Sequence, residues 1–411
     1  MGNKIIQFTA IAILVSIIGG FAGWYFFIKS KTEDTKAATT ALGDNSSASF
    51  TGQVGSTYQN IASEGSGTST AEVGKRAPRL WHVTKTPVAG FGFGPSGASI
   101  FIAERATGNI LRADPNTSTI LRLTNTLMPK VQDAIFSRTG DVLLRSTNDS
   151  GAITTFAATI ATTTIITSSS TPNVLEGTYL PQNIVAIDTP DNQPTSRGIF
   201  FITRLTEGGS IGVSSTWKGS SVKKLLSSPL TQWRAQYLAD GRAIITQNAA
   251  DGIVGYAFVI GSSGTTKPLG GGMPGLTVRY HETNDAYLYG TSENGVLALY
   301  AKIGNGDAVK LPIATTADKC VWAPGVGLVA YCAVPTTLPS GQYLSNWYQG
   351  AARTRDTWWK IEAAAGTAQL FFASDTRTNF DVEDPSMDET GGYLGFRDAA
   401  DKSLWLLRIS E

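Results

Sequence analysis

The two cysteines of this chain, Cys320 and Cys332, are the residues whose spacing points most directly to chemistry. They stand symmetrically about Val326 in the phrase CVWAPGVGLVAYC, two apolar runs joined by a Pro/Gly turn. An antiparallel hairpin centred on Val326 sets them opposite one another. A non-hydrogen-bonded pair then brings its Cα atoms to about 4.5–5.5 Å, within disulfide reach. Such a bond forms spontaneously only in an oxidising compartment. Two unpaired buried thiols are the alternative. With no histidine nearby the two sulfurs make a poor metal site, and no metal or other cofactor is expected.

After Cys332 comes an insertion, running to Trp358, that holds Tyr343, Trp347, Tyr348, Arg353 and Arg355. Long loops inside compact domains are commonly functional, and Tyr, Trp and Arg dominate binding hot spots. These five are the candidate binding residues. The competing reading is that the aromatics fold back over their own sheet, with Trp358 or Trp359 in its core.

Catalytic patterns are thin, and no catalytic residue is assigned. Gly208-Gly209-Ser210-Ile211-Gly212 fits G-x-S-x-G, but that motif needs a strand-to-helix elbow and a histidine partner. Here it lies between two strands, and the only histidines are His82 and His281, read as packed or turn residues. Asp381, Glu383, Asp384, Asp388 and Glu389 cluster near the end of the chain. Carboxylates at such density could hold Ca²⁺. Their spacing follows no calcium-loop pattern, so a solvated turn is expected.

The elements that must carry these residues repeat. A strand, a Gly/Asp/Pro turn and a second strand recur at Phe91–Ala103, Ala134–Arg145, Ala235–Gln247, Val278–Gly290, Cys320–Cys332 and Pro385–Arg397. A further copy is degenerate in its turn, Asp188–Arg197, and resumes at Gly198–Thr203. Spacings of roughly 40 to 65 residues mark a propeller-type array. Seven blades are expected, starting near Phe91, Val131, Gln182, Trp233, Leu276, Lys319 and Asn379. The last would end at Ser403–Ile409 without a fourth strand, and Leu80–Val83 precedes the first blade with no sheet of its own. Pairing the two closes the ring and removes its exposed edges. The expected fold is therefore all-β, a seven-bladed β-propeller over 78–411 closed by its N-terminal strand.

The strand–turn phrases Phe136-Ser137-Arg138-Thr139-Gly140, Gly94-Pro95-Ser96-Gly97 and Ala239-Asp240-Gly241 resemble the SPDG-like turn of TolB-like and WD40-like propeller repeats. The Gly-His and Trp-Asp marks of true WD40 repeats are absent. Asn346-Trp347-Tyr348-Gln349-Gly350 ahead of Trp358-Trp359-Lys360-Ile361 is similar to uncharacterised single-span propeller proteins of candidate-phyla bacteria. That resemblance implies a bacterial cell-surface setting and no particular activity.

The N-terminus is a separate object. Ile5–Ile28 carries no charge and is long enough to cross a bilayer core of about 30 Å as a helix. A retained anchor over 1–29 is expected, with a cleaved signal peptide as the rival. Residues 30–77, rich in Ser, Thr, Ala and Gly, read as a flexible tether. Lys29, Lys31 and Lys36 outnumber Lys4, which by lysine counting favours a cytoplasmic C-terminal side. Large domains nevertheless translocate largely regardless of flanking charge, and the cysteine pair points outward, so the propeller is expected outside the cell membrane.

Net charge is +1 and charged residues are 16% of the chain, leaving no strong field for nucleic acid. The expected function is a membrane-anchored extracytoplasmic module that binds a protein or glycan partner at the cell envelope. A propeller hydrolase or lyase with its site in the central channel is the alternative from another class. A structural role in an envelope or surface-appendage assembly is the third.

Overall fold

The computed structural model describes residues 74–94, 99–160, 174–190, 198–281, 283–338, 341–375 and 378–410. The expected anchor, most of the expected tether, most of the Gly94–Gly97 turn and most of the degenerate turn of blade three lie outside the described residues. Among the described residues no helix is long and apolar enough to cross a membrane.

Seven four-stranded antiparallel sheets succeed one another along the chain. Blade one comprises Val88–Phe93, Ile100–Glu104, Ile110–Asp114 and Thr119–Arg122. Blade two comprises Val131–Phe136, Asp141–Thr147, Ile153–Thr159 and Glu176–Tyr179, and blade three Ile184–Asp188, Gly198–Arg204, Ser210–Thr216 and Lys223–Ser228. Blade four is Trp233–Tyr237, Ala243–Gln247, Ala257–Gly261 and Gly264–Thr266; blade five is Thr277–His281, Ala286–Glu293, Val296–Ile303 and Val309–Lys310. Blade six is Cys320–Trp322, Val329–Pro335, Asp356–Glu362 and Thr367–Phe372. Blade seven takes Val382–Met387, Tyr393–Asp398 and Leu404–Arg408 from the C-terminus and Leu80–Thr84 from the start of the domain.

Each blade buries both faces against its neighbours, so the second strands read as unbroken apolar runs. Ile100–Ala103 and Ile199–Ile202 are buried at every position. The last strands face solvent, as at Glu176–Tyr179 and Gly264–Thr266. The first strands line the centre and press on one another. At Gly90 in blade one an added Cβ would stand 2.0 Å from the Ala134 carbonyl oxygen of blade two, so only glycine fits there.

Closure follows the expected pairing, with Leu80 opposite Leu407 and His82 opposite Trp405. The His82 ring stacks on Trp405 at 3.9 Å between centroids, and Trp81 and Val83 are buried. Burial holds the His82 imidazole below its ordinary pKa, so it packs as a neutral ring.

In blade six Cys320 pairs with Cys332 across the two strands, with Cα atoms 4.0 Å apart and a disulfide between them. Both are fully buried. Replacing both by alanine is expected to lower the unfolding free energy by about 2–4 kcal/mol, measured by denaturant titration without reductant. Two freely alkylatable thiols in protein from intact cells would contradict the bridge.

The insertion is shorter than expected. The second strand of blade six continues to Pro335 and the third begins at Asp356, which leaves 336–355 and, within it, helix α1 (Tyr343–Tyr348).

Candidate functional site

In a propeller of this topology the loops joining second to third strands, and each blade to the next, share one face. Turns after the first and third strands share the other. The insertion 336–355 joins second to third strand and therefore lies on the first of these, the upper face.

Its anchor is Lys319, fully buried on the 3₁₀ turn Ala317–Lys319. The ammonium donates to Asp356 and Asp381, each at 2.6 Å, and to the Thr354 hydroxyl at 2.7 Å. The Trp347 ring lies 4.9 Å from the same nitrogen, and its indole N–H donates to Asp381 at 2.9 Å. Burial alone would lower the lysine pKa, but Asp356, with Tyr343 and Asp381 behind it, overrides this and raises it well above the ordinary value. Tyr343 is buried beside Leu297, Trp347 and Ala352, and burial pushes its phenol up to about 12.

The five candidate binding residues thus part company. Tyr343 and Trp347 are buried and pin α1 to blades five, six and seven. Tyr348 is 37% exposed, Arg353 is exposed, and Arg355 is half-buried with a bond to the Asp375 carbonyl. The Tyr348 hydroxyl accepts from Arg234 of blade four at 2.9 Å and donates to Asp318, and the guanidinium also sits 5.0 Å from the tyrosine ring. Trp358 is wholly buried, whereas Trp359 is half-buried.

The acids near blade seven require a correction, because apart from Glu389, which is exposed in a turn, they are bound by cations or backbone rather than left to solvent. Asp381 belongs to the Lys319 cluster. Glu383 pairs with Arg397 at 2.7 Å and with Lys402, and Asp384 pairs with Arg397. Asp388 is buried and accepts the Tyr393 and Thr390 N–H groups of its own turn. The density of carboxylates in the sequence masked the cations, which arrive from other strands. Among the described residues no group of three or more His, Cys, Asp or Glu side chains is gathered to hold a metal ion.

Neither catalytic pattern assembles. Ser210 is buried on a blade-three strand and donates to the Leu230 carbonyl at 2.6 Å. His281 is buried against Trp322, its Nδ1 accepts the Thr283 N–H, and burial lowers its pKa.

Around Tyr348 the upper face of blades four to six exposes Leu230, Ile253, Val254, Tyr256 and Val296. These loops are tied together. Asp251 accepts the Ser345 N–H of α1 at 2.8 Å, while the Ser345 hydroxyl accepts the Asp251 N–H at 3.0 Å. Sequence reading named Tyr348 but none of these apolar residues, because isolated apolar residues in loops carry no periodic signal.

A second concavity lies at the centre. All seven first strands contribute to a cavity of about 330 Å³, with Phe91, Asp133, Arg138, Asp188, Gln236, Arg279, Trp322, Asp384 and Met387 among its lining. Its wall is sewn between blades. Arg145 pairs with Asp133 at 2.6 Å and donates to the Ile184 carbonyl at 2.8 Å, and Arg397 donates to the Ala89 carbonyl at 2.6 Å. Gln236 exchanges two bonds with the Tyr280 backbone, at 2.9 and 3.0 Å. Arg138 donates to the Met387 carbonyl at 3.2 Å, tying blade two to blade seven. Asp384 sits at a bulge with φ +49°, a left-handed backbone that aspartate tolerates better than most residues. Although its desolvation opposes this, Arg397, aided by Arg279 and Arg234, holds its carboxyl below the ordinary range.

Sheet order, closure and channel define a seven-bladed β-propeller. Among solved structures, virginiamycin B lyase from Staphylococcus aureus is similar at 13% identity and TM-score 0.48, covering 80% of this chain and 98% of that one. The Cps50 (Swd1) β-propeller domain of Myceliophteria thermophila has 8% identity and TM-score 0.48, covering 80% and 100%. A putative TolB from Agrobacterium tumefaciens has 9% identity and TM-score 0.37, covering 55% and 81%. Identities this low bear on fold, not activity. No protein-family profile and no curated protein matches the chain.

Proposed function

We propose that this chain is a membrane-anchored, extracytoplasmic binding module that holds a protein or glycan partner on the upper face of blades four to six. The observation that carries the reading is the cluster of exposed apolar side chains, Leu230, Ile253, Val254, Tyr256, Val296 and Tyr348, on loops braced by α1. Contiguous exposed apolar surface marks interaction sites on soluble domains. Tyr348 with Arg234 adds the residue types that dominate hot spots. This composition favours a protein over a glycan. The buried disulfide supports an oxidising compartment, and the uncharged run Ile5–Ile28 supports the anchor.

The test is photo-crosslinking in native cells, with the crosslinker placed at Val254 or Val296 on the upper face and at Val222 or Val326 on the lower. A discrete adduct from the upper positions only is expected. Val254→Asp combined with Val296→Asp should then weaken capture at Tyr256 by about tenfold or more, which is about 1.4 kcal/mol. Equal labelling from both faces, or none, would overturn the reading.

A further inference from the structure

The central cavity holds a guanidinium to which the described wall residues offer no hydrogen bond. Of its acids, Asp133 is taken by Arg145 and Asp384 by Arg397, and Asp188 accepts the Tyr237 N–H at 2.6 Å. Of its cations, Arg397 is shared among Asp384, Glu383 and the Ala89 carbonyl, and Arg138 donates to Met387. Arg279 differs. Its backbone carbonyl accepts the Trp322 indole N–H at 3.2 Å, but its guanidinium makes no hydrogen bond or ion pair with any described residue. The Nε is buried without a partner. A guanidinium presents a planar fork of donors matched to an oxyanion, and a buried donor left unmade is costly.

We propose that the channel binds a small organic monocarboxylate, with Arg279 receiving the carboxylate and Phe91 and Trp322 flanking its apolar body. The volume, about 330 Å³, lies at the small end of ligand pockets. Charge selects the class. One guanidinium fork without a hydrogen bond matches one carboxylate, whereas a phosphate dianion brings a second charge for which the described wall holds no second such fork. A cationic ligand would find no acceptor at Arg279, whose guanidinium only donates. The half-buried rings of Phe91 and Trp322 give the remainder of an apolar acid a surface that an inorganic anion cannot use. This site is separate from the upper-face patch and stands or falls independently of it.

The chain has only four methionines, and among the described residues Met387 alone of these lines the cavity. Methyl-labelled methionine in the full-length protein, purified in detergent, therefore reports occupancy by one resonance. Titration with benzoate or hexanoate is expected to shift the Met387 signal saturably and leave the others in place, while benzamide and inorganic phosphate do not. Arg279→Gln should weaken the carboxylate by about tenfold or more. Because the Arg279 side chain makes no hydrogen bond to a described residue and acts on Asp384 only through its charge, the variant should still fold and unfold cooperatively. The proposal is overturned if neither carboxylate moves Met387, if benzamide or phosphate binds as well, or if Arg279→Gln binds undiminished.

Discussion

Lys319→Met is expected to lower the unfolding free energy of the propeller by about 3–5 kcal/mol, because it leaves buried carboxylates uncompensated. Asp356 and Asp381 have side chains essentially without solvent contact, and both are ion-paired to this one ammonium. The pair is not strongly stabilising in itself, since desolvation offsets much of the Coulombic gain. Its removal is what costs. The loss should also reach α1, because Trp347 bonds Asp381 and stacks near the ammonium. Denaturant titration followed by tryptophan fluorescence measures both effects. Adding Asp381→Asn to Lys319→Met should recover part of the loss by removing one stranded charge.

The pH dependence has a defined sign. The folded-state pKa of Lys319 is raised above its unfolded value. Its stabilisation is therefore fully present below the ordinary lysine range and fades only as pH rises through the elevated folded value. In the parent this contribution should accordingly stay constant from neutral pH through about 9, below the unperturbed lysine pKa of about 10.4, whereas Asp356, already raised by burial, loses its main opposing charge in the variant and can take up a proton there as pH falls. A loss under about 1 kcal/mol at pH 9 would show that the ammonium does not hold this cluster.

The second large effect is expected at the closure of the ring. A chain beginning at residue 86 lacks the strand Leu80–Thr84 and exposes Leu404–Arg408 as an unpaired apolar edge. Trp81 and Val83 lose their sites against blades one and seven, and the bond from the Leu404 N–H to the Thr84 hydroxyl is lost. Deleting one buried Trp side chain alone costs about 3–5 kcal/mol, and an open edge invites association. The shortened chain should lose its cooperative transition or associate, and Trp81→Ala should show the smaller loss alone. A chain beginning at residue 74 retains the strand and the Gly74 N–H bond to Thr117, and it should unfold as the full domain does. Indistinguishable behaviour of the two chains, by light scattering and thermal melting, would refute closure by this strand.

Closure was legible in the sequence because it needs only a count of strands with one missing at Leu404–Arg408 and one spare at Leu80–Thr84. The cysteine bridge was legible for a similar reason. Register in a hairpin is local, and symmetry about Val326 places Cys320 opposite Cys332. Position in a charge network is different. The carboxylates Asp381, Glu383 and Asp384 look like a solvated run until Lys319 and Arg397 are brought to them from other strands.

What the sequence determined by itself was the repeated strand–turn–strand unit, its number, its closure and the disulfide, all of which rest on contacts between neighbouring strands. Tertiary structure alone decided which side of each loop is used. Tyr343 and Trp347 went inward because Lys319, Asp356 and Asp381 converge beneath them, leaving Tyr348 at the surface beside Arg234 and Asp318. Tyr348 and Asp318 lie 114 and 84 residues from Arg234 along the chain, and only the curvature of the ring brings them together. The channel follows the same logic. Each first strand supplies one or a few residues, and no local pattern reveals that the Arg279 guanidinium makes no hydrogen bond with the described wall residues.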